Sequence, residues 1–508
     1  MRKKNAVYNI ISSLILQVVM LLVNFIVPRL IIQHYGSAMN GLISSITQFL
    51  SYITLMESGV GSVVIAKYYK AFADNDNLLL SRIFKESGIF FRGIAYVALV
   101  YVAGMCGLYP LLVKSGIPNT TQILLIIIIS ATIFTQYLFG LTNQLVIHSD
   151  QKLHIVNATK TGANIVSTAL MAILIINNCN IVIVKLISAV ALISIPVIFG
   201  IYVKKHYSID YKVSRDKSVL QDKWSGLGQH IAAFIHGNTD IVLLTLFAGV
   251  LEVSVYSVYA MVLQGLRSFT SSLSNGVSAA FGNLLASGEK EKAKQSYIAF
   301  DYLNMIIMFV VFSIAYFMII PFVRLYSSVA TDVNYIRPTF AAIILLAECI
   351  YCVRCSYTCI IYAAGHFKQT MRNCFVEAII NIIISLLLVG KYGIIGVGIG
   401  TLVAMIYRSA DYIFYLSKHI VHWDIKGVIY RYLINVVAFG VVYVSLQWVP
   451  FDSINTVWQW IMYAVIVAVI TAAEYLVINT LLNLKGVKDI VNIYVMPLLN
   501  KVVGKIKG

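Results

Sequence analysis

The chain has 508 residues, 59% hydrophobic and only 12% charged, with a mean hydropathy of +0.84. A soluble globular protein carries roughly a quarter charged residues, so a soluble enzyme or binding module is excluded. The net charge of +17 would suit a nucleic-acid binder, but the basic residues follow membrane sidedness, and no nucleic-acid partner is expected.

One membrane-spanning helix needs about 20 apolar residues. Fourteen such runs fill the chain, near 8–33, 41–66, 88–113, 121–147, 157–177, 181–203, 227–250, 253–286, 298–324, 338–364, 372–390, 393–416, 428–449 and 456–482. They contain Gly and Ser and mostly exceed strand length, which predicts helices rather than a β-barrel. The first run is too long for a signal-peptide core and no small-residue cleavage site follows it, so it reads as a retained helix. The expected fold is an all-α integral membrane protein with about 14 transmembrane helices.

Loop charges orient the spans. If Arg2, Lys3 and Lys4 are cytoplasmic, the inside loops collect Lys67, Lys70, Arg82, Lys85, Lys152, Lys204, Lys205, Lys212, Arg215, Lys290, Lys292 and Lys294, among others. The outside loops hold little beyond Lys114 and Lys391, with Arg324 and Arg337 at span ends. This positive-inside bias predicts a multi-pass protein of the cell membrane with both termini cytoplasmic.

The longest polar stretch, Lys204 to Trp224, is too short for an independent core and reads as a connector between two bundles. Hydropathy hints at a repeat: spans 1–6 and 7–12 as two halves, with the last two spans as an appendage. The expected domains are 1–215, 216–425 and 426–508. The tail from Lys485 to Lys507 mixes Val, Ile and Leu with Lys and suits an amphipathic helix on an anionic leaflet; a frayed basic terminus is the plainer alternative.

Charges inside a bilayer are costly and tend to face a bundle interior or a wet cavity. Arg267 in span 8 lies roughly 20 Å from the outer end of its run. Gln264 at i−3 and Ser271 at i+4 share its face, and Ser268, Ser272, Ser274, Asn275 and Ser278 make the helix unusually polar. A guanidinium fork suits phosphate oxygens; the alternative is packing against a carboxylate. Arg354 and Glu348 lie in span 10, Arg408 and Asp411 in span 12, the latter pair close enough to neutralise each other. Arg29, after Pro28, either guards an outer portal or snorkels to the interface.

Among the acids, Asp240 is four residues from His236, so the two can touch. They could exchange a proton in a coupling cycle, although a structural hydrogen bond is the simpler reading. Glu57-Ser58-Gly59-Val60-Gly61 joins a carboxylate to small residues that permit close helix contact, for packing or for cation coupling.

Cys349, Cys352, Cys355 and Cys359 have the spacing of a bacterial ferredoxin run. The usual proline is replaced by Ile360, and on a helix the four form a stripe about 15 Å long that cannot wrap a cluster. They read as small packing residues. No P-loop, dinucleotide fingerprint, HExxH or GxSxG occurs, so no cofactor is expected and ATP-driven transport would need a separate subunit.

The layout resembles the bacterial polysaccharide-export flippases, the Wzx-type lipid-linked oligosaccharide translocases, of the superfamily shared with multidrug and toxic-compound extrusion transporters and lipid II flippases. The resemblance covers about the first 420 residues. Its carriers are Asn9 to Gly41 with Pro28-Arg29 and Tyr35-Gly36, the Glu57 to Gly61 segment, Asn238-Thr239-Asp240 leading to Gly249 and Tyr256, and Gly288-Glu289-Lys290. It implies two pseudo-symmetric six-helix lobes around a central cavity plus two extra C-terminal helices. It also implies alternating access and a polyprenyl-pyrophosphate-linked glycan as substrate. Arg267, with Arg29, Arg354 and Arg408, fits a cationic cavity. Asp240, His236 and Glu57 are the candidates for coupling to a proton or sodium gradient. Membrane lipids, a polysaccharide polymerase and glycosyltransferases are the expected partners. The rivals are a cation-coupled multidrug exporter of the same fold, a membrane glycosyltransferase or polymerase, and a non-transporting scaffold.

Overall fold

The computed structural model describes residues 2–57, 59–220, 227–287 and 289–497. Their regular structure is helical throughout, in chain order α1 (Arg2–Tyr35), α2 (Ser37–Ser51), α3 (Val60–Ala73), α4 (Asn77–Leu112), α5 (Asn119–Thr135), α6 (Leu141–Ser149), α7 (Leu153–Ile176), α8 (Ile181–His206), α9 (Leu227–Phe247), α10 (Val250–Ala286), α11 (Lys290–Tyr326), α12 (Pro338–Ala363), α13 (Phe367–Tyr392), α14 (Ile394–His419), α15 (Ile425–Leu446), α16 (Val457–Leu482) and α17 (Leu484–Ile490). In hydrocarbon no water is available to satisfy backbone N–H and C=O groups, so each segment bonds them internally.

Every one of the fourteen apolar runs carries helix. Eleven helices among the described residues are long and apolar enough to cross a bilayer, and the pair Ser37–Glu57 and Val60–Ala73, bent by 45°, adds a twelfth if it is one span. Run 227–250 falls short of that measure, its apolar described part being Gly237–Phe247. Run 253–286 is helical within α10 but carries the polar series around Arg267.

The breaks have local causes. Gly36 (φ 84°), Gly59 (φ 85°) and Gly249 (φ 89°) take the left-handed backbone region that L side chains avoid, and they separate α1 from α2, the 3₁₀ turn Tyr52–Glu57 from α3, and α9 from α10. Polar side chains start other helices by accepting exposed N–H groups. Asp76 accepts from Leu79 N at 2.8 Å, and Thr456 forms a capping box with Gln459.

The backbone divides into two compact units. The first holds residues 1–257 and 329–333. Here α1 packs along α7, α7 on α8, and α8 on α5, around a core that includes Leu42, Ile46, Val64, Phe91, Val146 and Phe199. Three contacts draw α9 and the start of α10 into this unit. Asn40 Nδ2 donates to Ser254 Oγ at 2.8 Å, Thr245 Oγ1 donates to Ser45 Oγ at 2.8 Å, and Gln48 Nε2 donates to Asn238 Oδ1 at 2.6 Å. A Cβ on Gly41 would sit 1.8 Å from the carbonyl oxygen of Val250, so only glycine permits this approach. The division therefore falls inside α10, and not at the polar connector. The connector itself is strapped to α4: Lys85 Nζ donates to Val213 O at 2.6 Å, and Arg215 forks onto Glu86 at 3.1 and 3.2 Å.

The second unit holds residues 258–328 and 334–508. Within it α12 packs against α11 and α14, α13 runs beside α14, and α15 and α16 cover α11. The tail does more than face lipid: Ile490 is buried against Ala299 and Tyr302, and Tyr494 OH donates to Ser296 O at 2.8 Å. Residues 498–508 of the expected amphipathic tail lie outside the described residues.

Candidate functional site

The charged residues of α10, α12, α13 and α14 form one chain of contacts in the second unit. Arg267 Nε donates to Glu348 Oε2 at 2.6 Å, and its Nη2 donates to the other oxygen of the same carboxylate, closing a two-pronged pair. One turn along α12, the Tyr351 ring lies between two guanidiniums, 5.3 Å from that of Arg267 and 5.2 Å from that of Arg354. Arg354 Nη1 donates to Glu377 Oε1 at 2.8 Å. The other oxygen of Glu377 lies 3.5 Å from Arg408 Nε. Arg408 Nη1 donates to Asp411 Oδ2 at 2.8 Å, while its Nη2 donates to Thr370 O at 3.0 Å and to Tyr412 OH at 2.9 Å. Asn373 Nδ2 donates to the remaining oxygen of Asp411.

Three guanidiniums thus meet three carboxylates, and the ladder is neutral as a whole. Charges removed from water survive in a membrane helix bundle only when paired and hydrogen-bonded. Arg354 and Arg408 were expected to face a cavity. They are enclosed, with 8% and 1% of their side chains exposed, because Glu377 and Asp411 hold them between helices. Arg267 differs: 36% of its side chain is exposed while its partner Glu348 is 1% exposed. Gln264 and Ser271 are also exposed on its face of α10, and Ser271 Oγ donates to Arg267 O at 2.9 Å. The ladder therefore presents one arginine, fixed from behind by a buried carboxylate and an aromatic ring.

The remaining candidates belong to the first unit. Arg29 is half-buried in α1. Glu57 ends the 3₁₀ turn and accepts from Tyr137 OH at 2.9 Å. Lys160 of α7 also acts on it electrostatically. Asp240 of α9 is buried and accepts from Tyr256 OH at 2.9 Å. The side chain of His236 lies outside the described residues, so the expected His236–Asp240 contact does too. The four cysteines of α12 lie along the helix, and Cys359 Sγ donates to Ser274 O. Among the described residues no group of three His, Cys, Asp or Glu side chains could hold a metal ion.

Sequence reasoning did not single out Glu377, Tyr351, Tyr137 or Lys160. Tyr351 precedes Arg354 by three residues, a spacing that places both on one face. Glu377 had no such local mark, since both its partners come from other helices.

The MatE family model matches residues 229–387, less than half of the chain. The fold is that of a known class of multi-pass membrane proteins. The structure of the lipid II flippase MurJ in an inward closed conformation matches with a TM-score of 0.68 at 13% identity, covering 94% of this chain and 98% of that one. An inward-facing multidrug resistance MATE family transporter of the MOP superfamily matches with a TM-score of 0.61 at 13% identity, over 80% and 98% of the two chains. A Vibrio cholerae MATE transporter variant matches with a TM-score of 0.54 at 14% identity, over 84% and 99%. No curated protein matches the sequence. The chain is thus an all-α multi-pass membrane protein with the fold shared by MurJ and the MATE transporters.

Proposed function

We propose that the chain is a flippase of that superfamily. It translocates a polyprenyl-pyrophosphate-linked oligosaccharide across the cell membrane by alternating access, with both termini cytoplasmic, and serves surface polysaccharide assembly. The observation that carries this reading is Arg267. It is an arginine of α10 on an exposed polar face with Gln264 and Ser271, anchored by Glu348 and Tyr351. A fork held in this way meets phosphate oxygens without first having to be ordered. Arg354 and Arg408 are assigned to holding α12, α13 and α14 together behind it, and Arg29 to a secondary contact. Asp240 and Glu57, with His236, are the groups assigned to coupling with a proton or sodium gradient. Glycosyltransferases and a polymerase would supply and consume the glycan.

A second reading, a cation-coupled multidrug exporter, draws on two carboxylates of the first unit, the buried Asp240 and the half-buried Glu57. The discriminating experiment is a leaflet-resolved assay of lipid-linked oligosaccharide in vesicles containing the purified protein. Protein-dependent appearance of the glycan in the opposite leaflet is expected. No translocation, together with expulsion of organic cations, favours the exporter. Sugar transfer without translocation sinks both.

A further inference from the structure

A crevice of about 760 Å³ opens on the first unit between α4, α6 and α8, far in sequence from the arginine ladder. The five-residue π-helical turn Gln136–Gly140 between α5 and α6 forms part of its wall, carrying Phe139 into it. Such turns interrupt the regular ladder of helix hydrogen bonds and recur at functional sites.

The lining is divided by chemistry. Lys85, Arg92 and Lys204 supply three cations, against the single carboxylate of Asp210. Lys85 Nζ is engaged by the carbonyl of Val213 at 2.6 Å. Arg92 Nε donates to Gly88 O at 3.0 Å, within its own helix. Asp210 Oδ1 accepts from the backbone N of Lys212 at 2.8 Å, not from a lining cation. Among the described residues none of the three cations pairs with a carboxylate. Ser81, Thr135, Thr142 and Asn143 add neutral polar groups, and the apolar part of the lining is outward-facing: Phe139 is 61% exposed, Val197 54% and Ile201 64%.

The cations also share one depth. Arg92 lies four residues inside the apolar run 88–113, and Lys204 directly follows the run 181–203. Both therefore stand at the same membrane boundary, within roughly 6 Å along a helix axis, with the apolar wall reaching inward from them.

A phosphodiester headgroup is an anion at that depth attached to acyl chains that extend inward. Basic residues at a membrane surface each attract anionic lipid, and guanidinium forks match phosphate oxygens. We propose that this crevice is a binding site for an anionic phospholipid, its headgroup phosphate held by Arg92 and Lys204 and an acyl chain lying on Phe139, Val197 and Ile201. The loop-charge bias makes the leaflet cytoplasmic. The site is separate from the proposed translocation chemistry and stands whether or not the flippase reading does.

The test uses the full chain in nanodiscs containing equal phosphatidylglycerol and phosphatidylcholine, released into detergent and examined by native mass spectrometry. Wild type is expected to retain phosphatidylglycerol preferentially, and Arg92→Ala/Lys204→Ala to lose that preference by about tenfold. Lys205→Ala, beside the crevice but not lining it, is expected to keep it. Val197→Trp fills the apolar wall without altering charge and is expected to lower retention as well, so the proposal remains testable if the double variant fails to fold. Absence of headgroup preference in wild type overturns the proposal. So does an equal loss in Lys205→Ala, which would mean a diffuse surface field. Displacement of the phospholipid by inorganic phosphate, or by an isoprenyl pyrophosphate at the same mole fraction, overturns it too, by assigning the crevice to a free anion or to the transported lipid.

Discussion

Arg354 Nη1 donates to Glu377 Oε1 at 2.8 Å, joining α12 to α13 through a pair in which both side chains are at least nine-tenths buried. The second oxygen of Glu377 faces Arg408 at 3.5 Å. One carboxylate thus compensates two guanidiniums.

Removing its charge should be expensive. Breaking a buried pair by neutralising one partner costs about 3–5 kcal/mol, because the other charge is left uncompensated. Glu377→Gln keeps shape and some hydrogen bonding, yet it should lower the thermal unfolding temperature in detergent sharply. Asp411→Asn, whose group is 18% exposed, should cost less. Equal and small effects from both would show that the ladder does not hold these helices.

Arg267 can be separated from its structural task. Arg267→Ala leaves Glu348 buried and unpaired, so it should reduce both stability and translocation. Adding Glu348→Gln should restore stability, because no buried charge remains, but not translocation. Arg267→Lys keeps charge while losing the fork and should fall between. Full translocation by the stable double variant in the leaflet assay would refute a substrate-contacting role.

Gly41 sets the distance between α2 and the start of α10. An added methyl would overlap the carbonyl of Val250, and overpacking of this kind typically costs about 1–3 kcal/mol. Gly41→Ala should therefore lower the unfolding temperature, while Gly93→Ala, where nothing lies within 4 Å, should be neutral. The comparison of their melting curves is the measurement.

An alkaline transition should appear at a loop outside the spans. Lys152 Nζ lies 2.7 Å from Asp150 Oδ2, and Tyr207 OH donates to the same oxygen at 2.8 Å. Desolvation lowers the Lys152 pKa, but the hydrogen bond and charge of Asp150, with a smaller contribution from Tyr202, outweigh it and raise the value above the ordinary 10.5. A raised lysine pKa contributes stability that is complete below the unfolded value and lost as pH rises through the folded one. The difference in unfolding temperature between wild type and Asp150→Asn should hold from neutral pH to about 10.5 and narrow above it. A gap that widens above that pH would contradict the pairing.

Much of the architecture was legible because a bilayer leaves few options. Apolar length sets where helices run, and each of the fourteen runs carries helix. Interruptions were visible where the cause is local, as in the Arg408–Asp411 pair at i, i+3. The bend after Glu57 was not anticipated, since run 41–66 reads as continuous until Gly59 adopts a left-handed backbone. The exposed polar face of Arg267, Gln264 and Ser271 was also readable, because all three lie on one helix.

Partnership across helices was not. Sequence placed Arg267, Arg354 and Arg408 as three intramembrane cations, and the family resemblance implied a cationic cavity for them. Only tertiary packing brings Glu348 against Arg267 and Glu377 against the other two, which together with Asp411 makes the ladder neutral and leaves Arg267 as its exposed member. Hydropathy and periodicity act along a single helix, so by themselves they determined that this chain lives in a membrane as helices and which residues interrupt them. Whether an interrupting charge is spent on a neighbour or offered to a ligand depends on contacts between helices distant in sequence, and the structure alone decided that.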